Sequence, residues 1–314
     1  MSIERHPHPR APFRASSTPA DTPLDAFDPV PASPAAPPYA LHPARGALPG
    51  WREAGQGRPL LLLHGWSVNG AAFDGQRALA LAGFRVIAPD HAGHGLSRQR
   101  AGPTVAALAR DVAALVGHLG LGDVVVAGWS MGAMVAWALL RDQPQLPLAA
   151  VGSIDMTPRM VTDPGWAHGL HGHYDLAQAR QMAERVRADW PRLAPSVASG
   201  LWAAGRRPPA EATQRIAHMA QQCDAATLAS LWEDMARQDF RATLRAARLP
   251  LFHLYGEASR LYAPAVGIAT RALHPAAGFS VVAGAGHSPH MEQAQAFNAA
   301  LLALIREAGQ ASTR

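Results

Sequence analysis

A short stretch near the middle of the chain restricts its fold more than any other. Val124-Val125-Val126-Ala127 is an unbroken apolar run, followed by Gly128-Trp129-Ser130-Met131-Gly132 and then by Ala133-Met134-Val135-Ala136-Trp137-Ala138-Leu139-Leu140. The first run reads as a buried strand and the second as a helix. A strand that turns straight into a helix has no room for side chains at the corners, which accounts for Gly128 and Gly132. The serine at the apex is then held in a strained backbone conformation with its hydroxyl pushed outward. The helix behind it offers free N–H groups to developing negative charge. Ser130 is therefore a candidate nucleophile.

The alternation of strand and helix continues on both sides. Arg58-Pro59-Leu60-Leu61-Leu62-Leu63 carries four leucines without a polar residue between them, which suits a strand covered on both faces. It ends at His64-Gly65-Trp66, where the backbone N–H of Trp66 is expected to face the serine. A second N–H from Met131 would complete an oxyanion hole. Further strands are expected over 84–90, 146–154, 249–255 and 279–283. Helices are expected over 104–118, 130–141 and 291–308. This order implies a mostly parallel sheet with helices on both faces.

Between 156 and 247 the strand signal vanishes. The segment is helical in pattern and holds Trp166, Trp190, Trp202, Trp232, Met182, Met219 and Met235. It reads as a helical cap over the serine. The core then comprises 46–155 and 248–310. The first forty residues hold ten of the 27 prolines, so 1–45 reads as an extended, solvated tail.

Composition excludes several classes. All 28 basic residues are arginine and the formal charge is +5, yet no dense basic cluster with interleaved aromatics occurs. A nucleic-acid partner is not expected. The one cysteine, Cys223, forbids an intramolecular disulfide and suits a reducing compartment. No run of about twenty apolar residues exists, so no membrane-spanning helix is expected. Residues 1–30 lack the apolar core of a secretion signal, and a cytoplasmic location is expected. Either a monomer or a homodimer fits.

Four ordered motifs carry a resemblance. His64-Gly65-Trp66, Asp90-His91-Ala92-Gly93-His94-Gly95-Leu96-Ser97, Gly128-Trp129-Ser130-Met131-Gly132 and Gly284-Ala285-Gly286-His287-Ser288-Pro289-His290 resemble those of the α/β-hydrolase superfamily, over about 51–305. The resemblance implies that family's fold, with the cap inserted after the sixth strand. It also implies a serine, an acid and a late histidine working together, without a cofactor.

Ser130 needs a base, and the base needs an orienting acid. His287 follows a strand, sits among glycines and lies where the family's histidine lies. The acid has two candidates. The family's usual position after the penultimate strand is occupied here by Ser259, which cannot stabilise an imidazolium as a carboxylate does. Asp155, at the end of the strand ending at Ile154, is favoured. Glu257, two residues before Ser259, is the alternative. Trp129, Trp166 and His64 are candidates for substrate binding, with His64 also read as a buttress of the oxyanion turn. His168, His171 and His173 have spacing that zinc can use, but no completing ligand is clear, and no metal is expected.

Serine at the elbow points to acyl transfer. Asp239-Phe240-Arg241-Ala242-Thr243-Leu244 and Leu254-Tyr255-Gly256, with the motifs above, look like carboxylesterases that demethylate pimeloyl on acyl carrier protein. The expected reaction is hydrolysis of a carboxylic ester through an acyl-enzyme. The substrate would be a small molecule, free or linked to a carrier protein. Carbon–carbon bond hydrolysis, cofactor-free dioxygenation and a ligand receptor with little turnover remain the alternatives.

Overall fold

The computed structural model describes residues 36–311. Its strands are β1 (Ala40–His42), β2 (Trp51–Ala54), β3 (Arg58–Leu63), β4 (Phe84–Pro89), β5 (Val124–Trp129), β6 (Leu148–Ile154), β7 (Leu251–Gly256) and β8 (Gly278–Val282). They form one eight-stranded sheet in the order β1-β2-β4-β3-β5-β6-β7-β8. β1 and β2 pair antiparallel, as do β2 and β4. From β4 to β8 every pairing is parallel. The sheet therefore starts at Ala40, inside the span expected as tail, because β1 pairs with β2 at its edge. The proline-rich stretch up to residue 35 lies outside the described residues.

The uninterrupted leucines of β3 have a simple cause. Leu61 and Leu63 enter one core with Val112 and Leu115 of α1 (Val105–His118) and Val135 of α2 (Met131–Asp142). Leu60 and Leu62 enter a second core with Phe73 and Leu79 of the 3-10 turns Gly70–Ala82, and with Phe297 and Leu301 of the C-terminal helix. Successive side chains of a strand point to opposite faces, so a sheet buried on both needs apolar residues at every position.

A helical insertion follows β6, as expected. It consists of α3 (Leu176–Gly200), α4 (Ala210–Gln221), α5 (Ala225–Arg237) and α6 (Arg241–Ala246). α3 starts at a capping box in which the Asp175 carboxylate accepts from Gln178 N and the Gln178 side chain accepts from Asp175 N. Its backbone leaves helical geometry at Asp189, with Pro191 and Pro195 just beyond. Proline removes a backbone donor and crowds the preceding turn, so the helix bends there. Beyond the insertion come β7, α7 (Pro264–Ala272), β8, α8 (Pro289–Glu292) and α9 (Ala294–Ala311).

Candidate active site

The elbow has the geometry that its glycines imply. A Cβ on Gly128 would lie 2.1 Å from the Gly132 carbonyl oxygen, and one on Gly132 would lie 2.1 Å from that of Leu63. Ser130 sits between them at φ 54°, ψ −121°, outside the regions that non-glycine residues favour. Met131 opens α2, so its N–H belongs to the first turn and has no partner within the helix.

The turn at His64-Gly65-Trp66 is braced by histidines. His64 Nε2 accepts from His91 N at 2.8 Å, so its proton lies on Nδ1, which donates to the Gly65 carbonyl at 2.8 Å. That carbonyl and the Trp66 N–H belong to one trans peptide and point in opposite directions. Holding the carbonyl on His64 therefore aims the Trp66 N–H the other way. His94 Nε2 accepts from Ser67 N at 3.3 Å, and its Nδ1 donates to the Ala92 carbonyl at 2.9 Å. Burial keeps these rings neutral. It pushes His91 down to about 3 and His94 down to about 4, and holds His64 well below the ordinary histidine value. The space above the turn is equally tight: a Cβ on Gly65 would lie 3.1 Å from the Trp129 ring and 3.3 Å from Ser130 Cβ.

His287, in the loop after β8, donates from Nδ1 to Asp155 Oδ1 at 2.7 Å. Both side chains are buried. Asp155 immediately follows β6 and has φ 45°. Two further donors saturate it: Ser259 Oγ reaches Oδ1 at 2.8 Å and Gly256 N reaches Oδ2 at 2.9 Å. Ser259 thus serves the Asp155 carboxylate as a hydrogen-bond donor. Glu257 is exposed and accepts from Gly284 N at 2.8 Å.

Ser130, His287 and Trp66 line one cavity of about 440 Å³. Leu170, Leu261 and Trp232 give it apolar walls, and the bent α3 contributes Met182, Arg185, Leu193 and Val197. The other expected substrate contacts lie elsewhere. Trp129 is buried and donates from Nε1 to the His287 carbonyl at 2.7 Å. Trp166 is buried and donates to Thr157 Oγ1 at 3.0 Å. His64 is wholly buried behind the turn. Trp129 and Trp166 have amphipathic rings whose N–H found partners in the core rather than in the cavity. His171 reaches the cavity, whereas the His168 ring packs on Trp166 at 5.2 Å. Among the described residues no group of three or more His, Cys, Asp or Glu side chains is arranged to hold a metal ion.

Sequence reading missed Ser259 as a donor, and it missed Glu292, whose carboxylate accepts from the backbone on both sides of His287. The spacing Gly286-His287 to Glu292 was the available signal.

A description of the alpha/beta hydrolase family matches residues 60–300. A pimeloyl-[acyl-carrier protein] methyl ester esterase from Aromatoleum aromaticum is 33% identical over 239 residues, covering 74% of this chain and 92% of that protein. A non-heme haloperoxidase from Rhodococcus erythropolis is 30% identical over 263 residues, covering 81% and 94%. Among solved structures, an esterase from Exiguobacterium antarcticum superimposes with a TM-score of 0.75 at 17% identity, covering 86% of this chain and 99% of its own. With the match spanning most of the sheet, the elbow and the late histidine, the chain belongs to the α/β-hydrolase family.

Proposed function

We propose that this protein hydrolyses carboxylic esters through an acyl-enzyme on Ser130. The observation that carries the reading is the buried Asp155–His287 hydrogen bond of 2.7 Å, beside a strained serine that opens on the same cavity. Asp155 fixes the ring with Nδ1 protonated, which leaves Nε2 as the base. Ser130 Oγ attacks the ester carbonyl carbon while its proton passes to His287 Nε2. The N–H groups of Trp66 and Met131 hold the oxyanion. Collapse breaks the bond to the leaving alkoxide, which takes the proton from His287. Water, deprotonated by the same ring, then releases the acid and restores the serine.

The cavity constrains the substrate. Its walls suit an apolar acyl chain, and Arg185, exposed among the lining residues, favours a negative group at the far end. An acyl group tethered to a carrier protein and a free half-ester of a diacid both meet that description.

Fluorophosphonate labelling read by mass spectrometry tests the nucleophile. The adduct is expected on Ser130, and a burst of p-nitrophenol from short acyl esters is expected to vanish in Ser130→Ala. An unlabelled Ser130 overturns the proposal, as does oxygen uptake without added cofactor in place of ester cleavage.

A further inference from the structure

Glu292 ends α8 and is 5% exposed, yet among the described residues no cation pairs with it. A buried carboxylate is costly unless its oxygens find donors. Here the donors are all backbone. Oε1 accepts from Gly286 N at 2.8 Å and Ser288 N at 3.3 Å, and Oε2 accepts from Ala203 N at 2.9 Å. Gly286 and Ser288 flank His287. Ala203 lies in the insertion, just beyond α3.

The two backbones meet directly at this point. A Cβ on Gly286 would lie 2.3 Å from Ala203 N, so only glycine admits the contact. A second seam runs alongside: Ala204 N donates to the Ala258 carbonyl at 2.9 Å, and Ala258 N to that of Ala285 at 2.8 Å. The inner edge of the cap is thereby stitched both to the loop after β7 and to the histidine loop. Burial raises the Glu292 carboxyl above its ordinary value, and the three backbone donors and the charge of the His287 ring act against that.

The surroundings of His287 are few. Asp155 faces it from the end of β6, the Tyr262 ring lies 5.9 Å away beyond β7, and the Trp129 ring lies 5.6 Å away on β5. His290 and Glu292 come from α8, and burial keeps His290 neutral. Asp155 and Glu292 are thus the two carboxylates of this set.

We propose that Glu292 is a positioning residue that joins the cap to the His287 loop. The proposal rests on Ser130 and His287 acting as nucleophile and base. A cap edge and a base fixed by one carboxylate move together, so the pocket and the proton acceptor are set in one act.

The test is the rate of fluorophosphonate labelling of Ser130 in wild type, Glu292→Gln and Glu292→Asp. Glutamine keeps the size, but its amide nitrogen cannot accept from an N–H. Labelling by Glu292→Gln is expected to fall by up to about 100-fold, as for a displaced reacting group. Glu292→Asp, with both acceptor oxygens kept and the reach shortened, is expected to recover part of the lost labelling rate.

If wild type is labelled and Glu292→Gln is labelled at an unchanged rate, the joint is refuted and the hydrolase reading stands. If wild type itself is not labelled, both fall. Amide hydrogen exchange in the wild-type protein needs no variant to fold. Ala203, Gly286 and Ser288 are expected to exchange as one cooperative group. Exchange of Ala203 faster than Gly286 by more than about tenfold refutes the joint.

Discussion

Two serine–histidine neighbourhoods lie close together in this molecule, and they differ in instructive ways. Ser153 on β6 and His253 on β7 are register partners, with Ser153 Oγ and His253 Nδ1 2.7 Å apart. Judged by that distance alone, this pair is a candidate nucleophile and base. It lacks everything else. Both residues are buried and neither lines the cavity. Among the described residues His253 Nε2 has no partner, and burial pushes the ring down to about 3. Ser153 belongs to a regular strand. At the other site Ser130 has positive φ, and His287 carries a carboxylate on Nδ1 and faces a cavity. A hydrogen bond between serine and histidine is therefore a packing solution as readily as a chemical one. The acid on the second nitrogen, the strained apex and the access to solvent make the difference.

Substitution at the two serines should separate the sites most widely. Ser130→Ala is expected to reduce ester turnover by about 10⁶-fold with little change in stability. Ser153→Ala should leave turnover within about twofold and cost about 1–2 kcal/mol of stability, because His253 Nδ1 loses its partner in the core. Steady-state kinetics beside urea unfolding reads both, and loss of turnover in Ser153→Ala without unfolding would reverse the assignment.

The acid comes next in size. Asp155→Asn is expected to lower kcat by about 10⁴-fold, since an amide no longer selects the tautomer or stabilises the imidazolium. Glu257→Gln should have no measurable effect on kcat, because that carboxylate serves the Gly284 N–H. Equal losses in the two variants would undo the choice between them.

Ser259→Ala should act through Asp155. The carboxylate keeps His287 and Gly256 as donors but loses one hydroxyl. A fall of about tenfold in kcat, with KM nearly constant, is the expected outcome.

The buried histidines act on stability and leave turnover alone. His91, His94 and His253 are held at about 3 to 4 in the folded state, against an ordinary value of 6.5. The unfolded chain therefore binds more protons below pH 6.5, so stability is full above that pH. It erodes as pH falls toward 3, by up to about 1.4 kcal/mol per pH unit for each histidine. Thermal melts between pH 7 and 4 should show Tm dropping steeply before carboxylates titrate. A flat Tm over that range would mean the rings are not buried neutral.

How much of this was legible beforehand differs from residue to residue. The elbow could be read because its requirements are local: a strand, two glycines, a serine and a helix in unbroken succession. The turn after β3 is local in the same way. Asp155 is marked in the sequence by its place at the end of a strand, and the structure puts it on His287 Nδ1. Trp129 and Trp166 were misplaced because an aromatic ring near a serine carries no mark of which way it turns, and both rings turned into the core. Ser259 read as a position without a carboxylate, whereas its hydroxyl donates to Asp155.

The order of apolar and glycine residues along the chain decides the two-faced sheet, the sharp turn at Ser130 and the helical insertion, because each follows from neighbours a few positions apart. The pairing of Asp155 with His287, the service of Ser259 and the clasp of Glu292 on Ala203 join residues about ninety to more than a hundred positions apart, or turn on which way one side chain points. No periodicity encodes such meetings. They exist once parallel strands bring their carboxyl ends to the same edge of the sheet, where buried polar groups must find one another or go unpaired.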